Sequence, residues 1–140
     1  MKNIAIFFLF CLGIAGYNAC RADALPPGET VYEATLSADG VQRVRIESGS
    51  YFFKPNRVVV HVNAPVELAV STGGGLVPHT FVIQSPEAGI TVDESLSSEA
   101  KIIRFTPTAI GKYPFYCRSR LLFFKSHRED GMEGVLEVVE

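Results

Sequence analysis

From Val31 to Val139 the chain is punctuated by proline and glycine, and no long stretch repeats its apolar residues at helical spacing. Between these breaks stand short segments rich in valine, isoleucine, threonine and aromatic residues, several of them alternating apolar with polar side chains. Such a pattern makes strands and leaves little room for helices. The reading places strands near Val31–Ser37, Gln42–Ser48, Arg57–Val62, Val66–Ser71, His79–Gln84, Lys101–Thr106, Gly111–Cys117 and Val135–Val139. Ala38-Asp39-Gly40 is expected to be a hairpin turn between the first two, since Asp-Gly tolerates positive φ. Asn63-Ala64-Pro65 and Gly73-Gly74-Gly75 read as further turns, and Pro86 to Ser98 as a loop with one short helical turn. Seven or eight strands in about a hundred residues predict an all-β, two-sheet Greek-key β-sandwich. Its core is expected to include Val58, Val60, Val62, Leu68, Val70, Phe105 and Leu136.

Residues 25–140 carry this pattern and suit a single domain with its own core. Residues 1–24 read differently: Lys2, an apolar run from Ile4 to Tyr17, then Ala22-Asp23-Ala24. That is the layout of a signal peptide cleaved after Ala24, its apolar run shorter than the ~20 residues a spanning helix needs. The expectation is an exported, periplasmic chain with no membrane span in its mature form. Lipid attachment at Cys20 is the minor alternative, with Tyr17 a poor fit to a position usually aliphatic. The mature part holds 11 Lys and Arg against 14 Asp and Glu. A general nucleic-acid binder would be strongly basic, so that class is disfavoured. No Ser-His-Asp set, glycosidase carboxylate pair or dinucleotide fingerprint can be argued from spacing, and Gly73–Gly75 lacks the Lys and Ser/Thr of a phosphate loop.

Cys11 and Cys20 lie in the leader, which leaves Cys117 as the one thiol of the mature chain. In an oxidising compartment a lone thiol is either buried and inert or protected by a metal. Strand alternation helps to decide. Tyr113, Phe115 and Cys117 share one face of "GKYPFYC", and His79, Phe81 and Ile83 share one face of "PHTFVI". Both potential ligands therefore sit at strand ends and aim inward. With His127 and Met132 they make two imidazoles, a thiolate and a thioether. Soft sulfur with nitrogen favours copper over structural zinc, and hard ions would want clustered carboxylates. His61 alternates with Val60 and Val62 and is read as an outward, surface histidine.

At this point the sequence resembles the cupredoxins, the type-1 (blue) copper proteins of the plastocyanin and azurin kind, over roughly Arg45 to Glu140. "FKPNRVVVHVNAPVELAVS", "VPHTFVI", "FTPTAIGKYPFYC" and "HREDGMEGVLEV" stand in the family's order and strand contexts. The resemblance implies one copper ion per chain, held by His79, Cys117, His127 and axial Met132. It also implies a one-electron carrier, not an enzyme, with His127 near the surface as the edge for electron exchange. Other readings stay open: an open or red-copper-like site acting on a small molecule, a copper-delivery module, or a metal-free sandwich. Thr80, where relatives often have Asn or Ser, is expected to bond across to the cysteine loop.

The departure from the family lies in the nine residues, Arg118 to Ser126, between cysteine and second histidine, against two to four in typical members. Leu121, Leu122, Phe123 and Phe124 are expected either to extend an apolar docking surface around the copper or to tuck into the core, the expectation being a mixture with one phenylalanine packed and the other exposed. Arg118, Arg120, Lys125 and Arg128 are expected to form a positive rim, with no acid among residues 118 to 128. Such a rim would steer an acidic redox partner, a cytochrome or oxidoreductase, onto a monomeric carrier. Glu129 and Asp130 are read as part of a solvated turn, and Gly131 and Gly134 as glycines that permit tight turning before the last strand.

Overall fold

The computed structural model describes residues 28–73 and 77–140. The leader, Cys20, and Gly74 and Gly75 lie outside the described residues. Ten strands follow in order: β1 (Val31–Glu33), β2 (Gln42–Gly49), β3 (Phe52–Lys54), β4 (Arg57–His61), β5 (Val66–Thr72), β6 (Thr80–Ser85), β7 (Ile90–Ser95), β8 (Lys101–Phe105), β9 (Gly111–Tyr116) and β10 (Glu133–Val139). They form a six-stranded sheet in the order β1-β4-β10-β9-β6-β7 and a four-stranded sheet in the order β3-β2-β5-β8. The chain passes repeatedly from one sheet to the other, and β4–β10, β1–β4 and β2–β5 are parallel pairs. This is the expected two-sheet sandwich. Among the described residues no helix is long and apolar enough to cross a membrane.

Period-two burial builds the layers. In β2, Gln42, Val44, Ile46 and Ser48 face inward while Arg43, Arg45 and Glu47 face solvent. β4 and β10 repeat the pattern, burying Val58, Val60, Leu136 and Val138. The expected core residues Val58, Val60, Leu68, Val70 and Leu136 are buried, whereas Val62 and Phe105 lie at its edge, packed against it. One inward polar residue holds the sheets together: Gln42 donates to the His61 and Ala64 carbonyls and accepts from the His61 N–H.

The strand count rises from the expected seven or eight to ten because two short strands were hidden. Ile90 and Val92 are buried and alternate with exposed Thr91 and Asp93 inside a stretch whose overall polarity suggests a loop. Only its first part is helical, a 3-10 turn at Pro86–Ala88. β3 holds three residues, of which Phe53 alone is buried. The first hairpin is also smaller than expected. Ser37 and Val41 close its turn, yet a single Leu36–Gln42 bridge joins the arms. β1 instead runs parallel to β4, where its backbone finds a full ladder.

Three strand ends meet at one pole. Val82 of β6 pairs with Tyr116 of β9, and Tyr116 pairs with Glu133 of β10. The start of β6, the end of β9 and the start of β10 are thereby adjacent. Gly134 serves this meeting by close approach, not by turning as expected: a Cβ there would collide with the Phe115 ring and the Asn56 carbonyl.

Candidate metal centre

His79 stands just before β6 and Cys117 just after β9, so the ladder between those strands brings them to one pole. His127 and Met132 come from the connection into β10. One donor atom from each of His79, Cys117 and His127 lies within 4.8 Å of the others, and all three residues are buried. Cys117 Sγ is 3.4 Å from His127 Nδ1. Nitrogen and sulfur donors sit about 2.0–2.3 Å from a bound first-row ion, and so about 3.5–4 Å from one another in a trigonal set. The three donors are spaced to surround one small ion with little movement. His79 Nδ1 is buried and, among the described residues, has no hydrogen-bond partner. A buried polar atom without a partner is costly unless something binds it. Burial, and secondarily the nearby His127, push the His79 imidazole below its ordinary pKa.

Met132 is fully buried, and its backbone ties the site together. Its N–H donates to the His127 carbonyl at 2.8 Å, and its carbonyl accepts from the Cys117 N–H at 3.0 Å. Thr80 meets the expectation made for it. Its hydroxyl accepts from the Arg118 N–H at 3.0 Å and stands 3.6 Å from Cys117 Sγ, to which the Thr80 N–H also donates. His61 stays apart, its ring facing the Glu140 carbonyl.

The nine-residue connection from Cys117 to His127 folds on itself beside these contacts. The His127 N–H donates to the Ser119 carbonyl, and Arg120 and Ser126 form an antiparallel bridge. Residues 120 to 126 are therefore a small hairpin whose base closes where a shorter loop would already have turned back. Phe124 N–H to the Leu121 carbonyl makes the tip. After the hairpin comes one capped turn. Ser126 N–H and Oγ each lie 2.7 Å from a Glu129 carboxylate oxygen, and the Glu129 N–H donates back to Ser126 Oγ. These bonds, the backbone one first, hold the Glu129 carboxyl below its usual range. Such reciprocal bonding is a capping box, legible in "SHRE" as Ser-x-x-Glu, and it orders the exposed turn expected around Glu129. Gly131, at φ 96°, ends the turn and delivers Met132.

Other parts of the site were not foreseen. Phe53 completes an aromatic triad with Phe81 and Phe115, the ring centroids 5.1–5.5 Å apart, in the core that Cys117 joins. Tyr51 stands edge-on to the His127 ring at 5.2 Å. His127 is only 3 % exposed but lines a recess of about 390 Å³ with Tyr51, Val77, Leu121 and Phe124, so it lies just beneath the surface. Neither phenylalanine of the hairpin packs inward: Phe123 and Phe124 are both exposed. The positive rim is largely compensated. Arg118 pairs with Asp93, Arg120 with Glu129, and Arg128 with Glu133.

No family model matches the sequence, and no curated protein matches it. Solved structures do. The metal binding domain of the Streptococcus pneumoniae Cu(I) exporting P-type ATPase CopA, solved with Cu(I), matches at 25 % identity and TM-score 0.54, over 79 % of this chain and 96 % of that one. Reduced auracyanin from the photosynthetic bacterium Roseiflexus castenholzii matches at 19 % and 0.53, over 70 % and 97 %. The Cu-containing nitrite reductase of Thermus scotoductus matches at 18 % and 0.53, over 79 % of this chain but 28 % of the enzyme. The chain has the cupredoxin fold, and at one pole of that fold it buries a His-Cys-His group able to hold a metal ion.

Proposed function

We propose that this chain binds one copper ion, which His79, Cys117, His127 and Met132 would hold, and carries single electrons between redox proteins outside the cytoplasm. The convergence of three buried donors from distant parts of the chain carries the reading. A thiolate, two imidazoles and a thioether make a donor set that suits both Cu(I) and Cu(II). Bound copper supplies the change of oxidation state. The protein's own residues supply everything else. The β6–β9 ladder fixes His79 against Cys117, so the donors are in place beforehand. The Thr80 N–H and hydroxyl bond to the sulfur and hold its orientation. All four side chains are buried, which favours a carrier over a site that must admit a substrate. The similarity to cupredoxin structures that include auracyanin supports the same reading.

The test is visible absorption and voltammetry after Cu(II) loading. The carrier reading expects an intense thiolate-to-Cu(II) band that bleaches and returns over repeated one-electron cycles. Irreversible reduction, or a spectrum altered by azide or nitric oxide, would move the assignment to an open, enzyme-like site. A second reading, copper handling, draws on the 25 % identity to the CopA metal binding domain. Loss of the metal to a competing Cu(I) chelator within seconds would favour it.

A further inference from the structure

The hairpin tip Leu121–Lys125 makes none of the hydrogen bonds that tie the metal site together, although Leu121 and Phe124 line the recess beside His127. Those bonds are made at its base, by Ser119, Arg120, Ser126 and His127. The tip nevertheless holds four large apolar side chains in water: Leu121 is 48 % exposed, Leu122 75 %, Phe124 68 %, and Phe123 wholly so. Leu122 also sits at φ 49°, a left-handed conformation that glycine or asparagine would adopt at less cost. A polar turn would close the same hairpin without either penalty.

We infer that this tip inserts into the interfacial layer of an anionic lipid bilayer and brings the metal pole to the membrane surface. Four consecutive residues around a turn cannot all lie on one face, so a flat protein surface would cover only some of them. An acyl layer surrounds them all. The flanking charge is paired at rest: Asp93, Glu129 and Glu133 stand against Arg118, Arg120 and Arg128, and Asp130 shares a recess with Lys125, so the basic side chains meet lipid phosphate by exchanging partners. No acid occurs from residue 118 to residue 128. Lys125 adjoins the tip and, among the described residues, carries no ion pair. The pairs of Arg118 and Arg120 are exposed on both sides and therefore weak, and these arginines can exchange their carboxylates for lipid phosphates. The contact does not depend on the metal, and with the carrier reading it places the redox partner in the membrane.

The chain contains no tryptophan, so Phe123→Trp installs a single reporter at the tip. Ile102→Trp, on the exposed edge strand β8, serves as control. Each metal-free full-length variant is titrated with phosphatidylglycerol vesicles, with and without brominated acyl chains. The tip reporter is expected to shift to the blue and be quenched by bromine, and the control to stay unchanged. Adding Lys125→Glu is expected to weaken partitioning several-fold. An unshifted tip reporter at millimolar lipid, or equal quenching of the control, overturns the inference. So does a blue shift without vesicles that grows with protein concentration, which would assign the tip to a second copy of the chain. Equal binding to phosphatidylcholine, or indifference to Lys125→Glu, overturns its anionic specificity.

Discussion

Thr80 shows how much of the site rests on one side chain. Its hydroxyl satisfies the Arg118 N–H and reaches the Cys117 sulfur, and its own N–H donates to the same sulfur. Thr80→Val keeps the shape and removes the hydroxyl, which leaves the Arg118 N–H without its partner. We expect a loss of about 1–3 kcal/mol in denaturant unfolding of the apo protein. In the copper form a shifted absorption maximum is expected, because the sulfur loses a hydrogen bond. Beneath the site, Phe53 is the residue whose loss should cost most. Phe53→Ala removes one member of a buried triad and is expected to destabilise by about 3–5 kcal/mol, read by the same unfolding curves. An effect below about 1 kcal/mol would show that the triad is not a structural unit.

At the scale of elements, the long ligand loop separates into two parts with different duties. The capped turn from Ser126 to Gly131 positions His127 and Met132, while the hairpin tip makes no hydrogen bond to either residue. Replacing Leu121–Lys125 by a two-residue Asn-Gly turn is therefore expected to leave the copper spectrum unchanged, since Arg120 and Ser126 can still bridge. Glu129→Ala opens the capping box and should broaden the copper EPR signal into more than one species while the circular dichroism stays native. A reversed outcome, with the tip deletion disturbing the metal and Glu129→Ala leaving it alone, would contradict the division. Residue alternation made the ends of β6 and β9 legible in the sequence, because His79 and Cys117 each continue a run of buried aromatic or aliphatic residues. β7 was not legible, since its two buried residues are outweighed by polar neighbours in any window average. β3 was not, because three residues carry too little pattern. The inserted hairpin was not, because its only ladder contact is one bridge and its apolar tip mimics a core segment. The capping box is legible in its four letters.

For the whole molecule, the sandwich buries a continuous core from β2 and β5 across to β4, β9 and β10, and the site adds itself to one pole of that scaffold. Strand order determines which pole: β6 starts, β9 ends and β10 starts there, so donors far apart in sequence become neighbours. The candidate donor types are readable in the sequence, and the convergence of His79, Cys117 and His127 comes from the topology. Copper K-edge X-ray absorption on the loaded protein tests that convergence most directly. The account predicts one short Cu–S and two Cu–N(imidazole) scatterers at about 2.0–2.3 Å, the sulfur lost in Cys117→Ser and one imidazole lost in His79→Ala. A shell of oxygen and nitrogen alone, unchanged by either substitution, would contradict it.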